Sequence, residues 1–130
     1  MFTRRTFLKA CAAAPLVAAL PSVVSAAAVT PFPLTASKIK KRLVPGDGYQ
    51  DASVWAFNRS VPGPELRFKK GETLSVDFLN QLDEGSSVHW HGIRNINAMD
   101  GVAGLTQPEV MPDGQFRYEF PLKDSGTYWY

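Results

Sequence analysis

Both histidines of the chain lie in one tripeptide, His89-Trp90-His91. Imidazole titrates near neutral pH and is the commonest protein ligand for copper and zinc. Side chains alternate along an extended segment, so the two rings share one face and Trp90 takes the other. At ~3.3 Å per residue their Cα atoms lie about 6.5–7 Å apart, so the rings can converge on one metal or reach two neighbouring ones. The spacing does not choose between these. Two imidazoles fall short of the three or more protein ligands usual in a catalytic metal site. Neutral nitrogen donors favour copper, zinc, iron or nickel over calcium or magnesium. Gly92 lets the backbone pass close beneath the site or bend away from it. The nearby acids are Asp100 and Glu109. Asp100 precedes Gly101, and a turn is its ordinary use; the competing use is an acid placed beside a metal. Trp55, Trp90 and Trp129 read as packing residues, in a core or between domains, rather than redox relays.

The elements that must position this pair are short. Apolar runs over Leu34–Val44, Ser53–Asn58, Glu65–Phe68, Thr73–Leu79, Ser87–Gly92, Phe116–Phe120 and Thr127–Tyr130 predict strands. They are punctuated by Pro45-Gly46-Asp47-Gly48, Pro62-Gly63-Pro64, Lys70-Gly71, Asp83-Glu84-Gly85, Pro112-Asp113-Gly114 and Asp124-Ser125-Gly126. Leu74, Val76 and Phe78 alternate, as do Phe116, Tyr118 and Phe120, and no apolar period near 3.6 runs for three turns. This pattern predicts an all-β, antiparallel sandwich or barrel. The segment from Ile93 to Met111 is long for a loop in a compact domain, and it starts directly after the histidines. The aromatic run Tyr128-Trp129-Tyr130 reads as a strand with neither a turn nor a polar tail after it, so the sequence is expected to be a fragment cut inside an element.

The first residues read differently. Arg4-Arg5, then Lys9, an apolar run from Ala10 to Leu20 and small residues over Ser25–Ala28 form an export signal of the twin-arginine type. The apolar run is too short to span a bilayer, so no stable membrane anchor is expected. Cleavage after Ala26, or after Ala27 or Ala28, leaves enough chain for one small β-domain. Residues 1–26 are therefore the signal peptide, 27–37 an extended linker containing Pro31-Phe32-Pro33, and 38–130 the domain. Arg4, Arg5 and Lys9 account for three of 14 basic residues, leaving 11 against 12 acids. The remainder is thus near neutral, with nothing basic left to point to nucleic acid or an anionic membrane surface, and no nucleic-acid partner is expected. Cys11, the single cysteine, departs with the signal, so the exported part can form no disulfide and offers no thiolate to a metal.

Five segments in register carry a resemblance: Pro62-Gly63-Pro64-Glu65-Leu66-Arg67, Gly71-Glu72-Thr73-Leu74, Val88-His89-Trp90-His91-Gly92-Ile93, Met99-Asp100-Gly101-Val102-Ala103-Gly104-Leu105-Thr106-Gln107 and Gly126-Thr127-Tyr128-Trp129-Tyr130. Together they resemble the first, plastocyanin-like (cupredoxin) domain of multicopper oxidases, the family of laccases and bacterial copper-resistance oxidases, over about Lys38 to Tyr130. The resemblance implies a Greek-key β-sandwich, here incomplete. It implies copper as the cofactor, with His89 on the type 2 copper and His91 on one of the type 3 pair of a trinuclear cluster. Asp100 matches an acid that the family places beside the cluster to help deliver protons during oxygen reduction. Family members continue into a second His-x-His and further cupredoxin domains carrying the other copper ligands. The parent is then expected to be a periplasmic enzyme that oxidises a small-molecule or metal-ion reductant in one-electron steps and reduces O2 to water. This chain alone is expected to bind copper without catalysis. The alternative is an exported single-domain copper carrier. A cupin-type metal barrel is disfavoured, because Gly92–Asn97 holds no Glu after the His-x-His. A scaffold that has lost its copper is disfavoured by the retained histidines.

Overall fold

The computed structural model describes residues 29–130. The export signal expected over residues 1–26, with Cys11, lies outside the described residues, as does the start of the linker. Four strands follow: β1 (Phe32–Lys41), β2 (Ala52–Phe57), β3 (Thr73–Gln81) and β4 (Gln115–Pro121). They form one mixed sheet in the order β2-β1-β3-β4. The β1/β2 and β3/β4 pairs are antiparallel, whereas β1 and β3 are parallel. The wholly antiparallel arrangement expected from the sequence gives way here because β2 returns to the outer edge of β1. That leaves the inner edge of β1 free for β3.

Alternation explains why these strands bury the face they do. Leu74 pairs with Phe120, Val76 with Tyr118 and Phe78 with Phe116 across β3 and β4. Val76, Phe78, Tyr118 and Phe120 are all at most 1% exposed. Each such side chain contributes about 1.5–3 kcal/mol through burial. Leu34 and Ala36 of β1 extend the same cluster. It is closed from above by Leu82, Val88, Trp90 and Val110, which lie outside the strands. The molecule is therefore an all-β, incomplete sandwich: one open sheet, with irregular segments as its second layer.

β1 begins at Phe32, so the last six residues expected as linker belong to the sheet. Phe32 and Pro33 pair with Val76 and Asp77 of β3, but pairing with β2 starts only at Ala36. Pro33 thus sits at the start of the strand, where its missing N–H leaves few ladder bonds unmade. Asn58 clasps this overhang, donating from its amide to the Pro33 carbonyl at 2.9 Å and accepting from the Thr35 N–H at 2.7 Å. Three further predicted strands form no ladder. Glu65–Phe68 turns only Leu66 partly inward and pairs with nothing, and Ser87–Gly92 and Thr127–Tyr130 meet only at one bridge, His91 with Trp129.

Asn80, fully buried at the end of β3, holds the turn that leads toward the histidines. Its amide donates to the carbonyls of Glu84 and Val110, and its own carbonyl oxygen accepts from Leu82 N–H. No helix among the described residues is long and apolar enough to cross a membrane.

Candidate metal centre

The histidines are aimed by what lies between and before them. Trp90 is 2% exposed and is packed edge-on against Tyr118 and Phe120, with Tyr130 tilted beside it. Val88 is equally buried, and its N–H donates to Tyr118 Oη at 2.9 Å. With Val88 and Trp90 turned inward, His89 and His91 must face out. A one-residue slip would bury both imidazoles and expose the indole, so the register is strongly specified. Burial pushes the Tyr118 phenol above its ordinary pKa, against the Val88 N–H that donates to it. It therefore stays neutral, as an acceptor needs only its lone pairs.

The outcome is the shared face expected from the sequence. The imidazole centroids are 5.6 Å apart, with planes at 88°. His89 Nδ1 lies 2.8 Å from the backbone carbonyl of Asp100. A carbonyl only accepts, so Nδ1 is the donor in this contact and Nε2 is the nitrogen left for a metal. The carboxylate of Asp100 is 3.6 Å from the same nitrogen, with His89 and Asp100 side chains 42% and 30% exposed. The sequence singled out Asp100 for its carboxylate, but the shorter contact is made by its main chain.

Gly101 makes that contact possible. Its φ of +77° is one that L side chains rarely adopt, and an added Cβ would run into the Val88 carbonyl. Ser87 Oγ locks the approach by donating to the Gly101 carbonyl at 2.7 Å. The long loop after the histidines thus folds back, through a 3-10 turn at Asn97–Met99, onto the segment it left. Neither Gly101 nor Ser87 was singled out for the site from sequence, although Gly after Asp on that loop was the available signal. Glu109, the other acid noted nearby, places its carboxylate over Gly85.

His91 is held from the other side. Its N–H donates to the Trp129 carbonyl at 3.0 Å, and the two rings stack with centroids 4.2 Å apart and planes 23° from parallel. Arg94 forks onto the Asp124 carboxylate at 3.0 Å through both Nε and Nη2, tying the segment after His91 to the one that brings Trp129. The three tryptophans, read alike from sequence, separate here: Trp90 is core, Trp55 is exposed on β2, and Trp129 is exposed and stacked.

An open groove of about 660 Å³ runs beside the site, walled by Phe57, Leu66, Trp90, Leu122 and Tyr130 among others; the imidazoles are not among its walls. Among the described residues no group of three or more His, Cys, Asp or Glu side chains is placed to hold a metal ion. Two outward imidazoles, one with Nδ1 engaged by a carbonyl, are a donor set that fits copper, with positions left for ligands from elsewhere.

The sequence model of a family described as multicopper oxidase matches residues 38–130. A copper resistance protein A homolog of Pseudomonas syringae pv. tomato is 34% identical over 98% of this chain and 23% of its own length. Laccase-1 of Cryptococcus neoformans var. neoformans is 43% identical over 71% of the chain and 15% of its own length. Among solved structures, Lac15 from a marine microbial metagenome superposes with a TM-score of 0.72 at 44% identity, over 77% of this chain and 26% of that one. A multicopper oxidase from Pseudomonas thermotolerans does so at 0.72 and 38%, over 80% and 25%. The chain therefore spans about a quarter or less of the length of these relatives.

Proposed function

The chain belongs to the multicopper oxidase family, and from that premise we propose that it is the part of a larger oxidase that supplies two histidines of a trinuclear copper cluster. In this reading His89 holds the type 2 copper and His91 one of the type 3 pair. The rest of the cluster and the electron-accepting copper come from later cupredoxin domains of the parent. Copper bound there supplies one-electron redox chemistry, coupling oxidation of a small-molecule or metal-ion reductant to the reduction of O2 to water.

What this chain's own residues do follows from their contacts. The Asp100 carbonyl engages His89 Nδ1, which leaves Nε2 as the nitrogen for a metal. In the same reading the Asp100 carboxylate, 3.6 Å from His89 Nδ1, would be the acid that helps deliver protons during oxygen reduction. The buried Val88 and Trp90 keep the two imidazoles together on the outer face. We also propose that the parent is exported to the periplasm by the twin-arginine route, on the strength of Arg4-Arg5 and the apolar run that follows.

The observation that carries the reading is the pair of imidazoles facing one way in a chain whose residues 38–130 match the family. Cu(II) titration of the chain tests it. Weak binding is expected, lost in the double variant His89→Ala, His91→Ala, with no O2 uptake from a phenolic or metal-ion donor. Equal copper binding by the double variant would sink the assignment. Dioxygen consumption by the pure chain would sink the claim that catalysis needs the further domains.

A further inference from the structure

Of the two imidazoles, His91 has the weaker polar support. Its ring is exposed, and rotation about the bond that sets an imidazole's plane is broad unless something restrains it. The restraint present is Trp129. The indole is stacked on the imidazole, with centroids 4.2 Å apart and planes 23° from parallel. The carbonyl of the same residue accepts the His91 N–H at 3.0 Å. The His89 ring is 5.6 Å away and perpendicular to it, at 88°. One residue thus grips both the backbone and the ring of His91.

Core packing does not explain where this indole sits. Trp129 is 66% exposed, whereas Trp90, packed on Tyr118 and Phe120, is 2% exposed. An indole left in water and laid along an imidazole loses hydrophobic burial that a core position would give it. What it does is hold a plane. A metal ligated by imidazole lies near the ring plane, so fixing that plane fixes the direction in which the nitrogen lone pair projects.

The geometry points to Trp129 as a positioning residue for His91: its indole sets the imidazole plane in advance of metal binding. The inference rests on the reading of His91 as a copper ligand. Ordering the ring beforehand lowers the entropy cost of binding, as any preorganised ligand does.

The test compares the chain with its Trp129→Ala and Trp129→Phe variants, first without metal. The indole ring current should move the His91 ring protons upfield in the NMR spectrum. The shift should shrink in Trp129→Phe and vanish in Trp129→Ala, with the thermal midpoint nearly unchanged because the indole is exposed. With Cu(II) added, affinity measured by calorimetric titration should fall about tenfold in Trp129→Ala, as for other groups that orient a ligand, and largely return in Trp129→Phe. The Cu(II) EPR signal of Trp129→Ala should broaden into more than one species. Loss of the ring shift with affinity and EPR unchanged would overturn the inference. So would a large fall in the midpoint of Trp129→Ala that Trp129→Phe reverses together with affinity, since that marks a structural role. A wild-type chain that keeps the ring shift yet takes up no Cu(II) would instead sink the ligand reading beneath it, and the persisting shift tells the two failures apart.

Discussion

His89 and His91 are neighbours on one face, yet different physics holds each. His89 is set by a hydrogen bond from Nδ1 to the Asp100 carbonyl, on a loop pressed at Gly101 against the Val88-His89 backbone. His91 is set by a stacked indole and by the Trp129 carbonyl on its backbone. A hydrogen bond to a carbonyl decides which nitrogen carries the proton, so it selects the donor atom as well as the ring plane. A stack fixes only the plane. The His89 side of the site is therefore chemically committed, whereas the His91 side is oriented but leaves both ring nitrogens open to a metal.

The change expected to break this contrast most sharply is Gly101→Ala. The added methyl collides with the Val88 carbonyl and sits at a φ unsuited to L residues, so the loop must lift off His89. Overpacking and a left-handed backbone together should cost more than about 3 kcal/mol in urea unfolding. NMR should show the His89 Nδ1 proton exchanging freely while the His91 stack persists. An unchanged unfolding midpoint would show that the loop is not wedged where we place it.

Next in size is Tyr118→Phe, which removes the acceptor under Val88 and leaves a buried N–H unpaired. The expected cost is about 1–3 kcal/mol. The same residue gives a signed pH effect. Burial raises the folded-state pKa of Tyr118 above its ordinary 10.0, so the folded chain holds this proton more tightly than the unfolded one. The associated stability is fully present below pH 10 and declines as pH rises through the folded value. Tyr130 is raised in the same direction, so the alkaline slope should be shallower, not abolished, in Tyr118→Phe. Denaturation midpoints between about pH 8 and 11 read this directly. A variant with an unaltered slope would contradict it.

The smallest effect belongs to a site remote from the contrast. Arg117 forks onto Asp77 at 2.6 and 2.9 Å across β3 and β4. Its hydrogen bonds, and then its charge, hold the Asp77 carboxyl below the usual carboxylate range, with both groups in solvent. The benefit is present above the ordinary carboxylate pKa and fades as pH falls below it. Asp77→Asn should therefore leave copper binding unchanged, lower stability slightly at neutral pH and low salt, and match wild type below about pH 4, where the wild-type pair is lost as well. A shift in copper affinity would mean that the sheet and the site are coupled more tightly than their contacts imply.

Much of this was legible because alternation is a local signal. Leu74-Ser75-Val76-Asp77-Phe78 and Phe116-Arg117-Tyr118-Glu119-Phe120 announce strands, and His-Trp-His announces two rings on one face with an indole behind them. The rest was set by tertiary partners. Glu65–Phe68 has the pattern of a strand, but no ladder partner lies beside it. The parallel pairing of β1 with β3 depends on which edge β2 occupies, and no residue in β1 encodes that. Asp100 stood out for its side chain, because composition cannot show that a main-chain carbonyl is in reach. Trp129 looked like any packing residue until its neighbour was known.

The place of β1 inside the sheet bears on how the chain acquires its shape. β1 emerges before the other strands and meets β2 across a connection of ten residues, as a local hairpin. Its other edge, however, waits for β3, some thirty residues downstream. During synthesis that edge is bare, with unmet amides beside Leu34 and Ala36, and bare edges recruit foreign strands. The vulnerable moment of this molecule is thus nascent, before Thr73 emerges, and a chaperone that shields Phe32–Lys41 would protect it then.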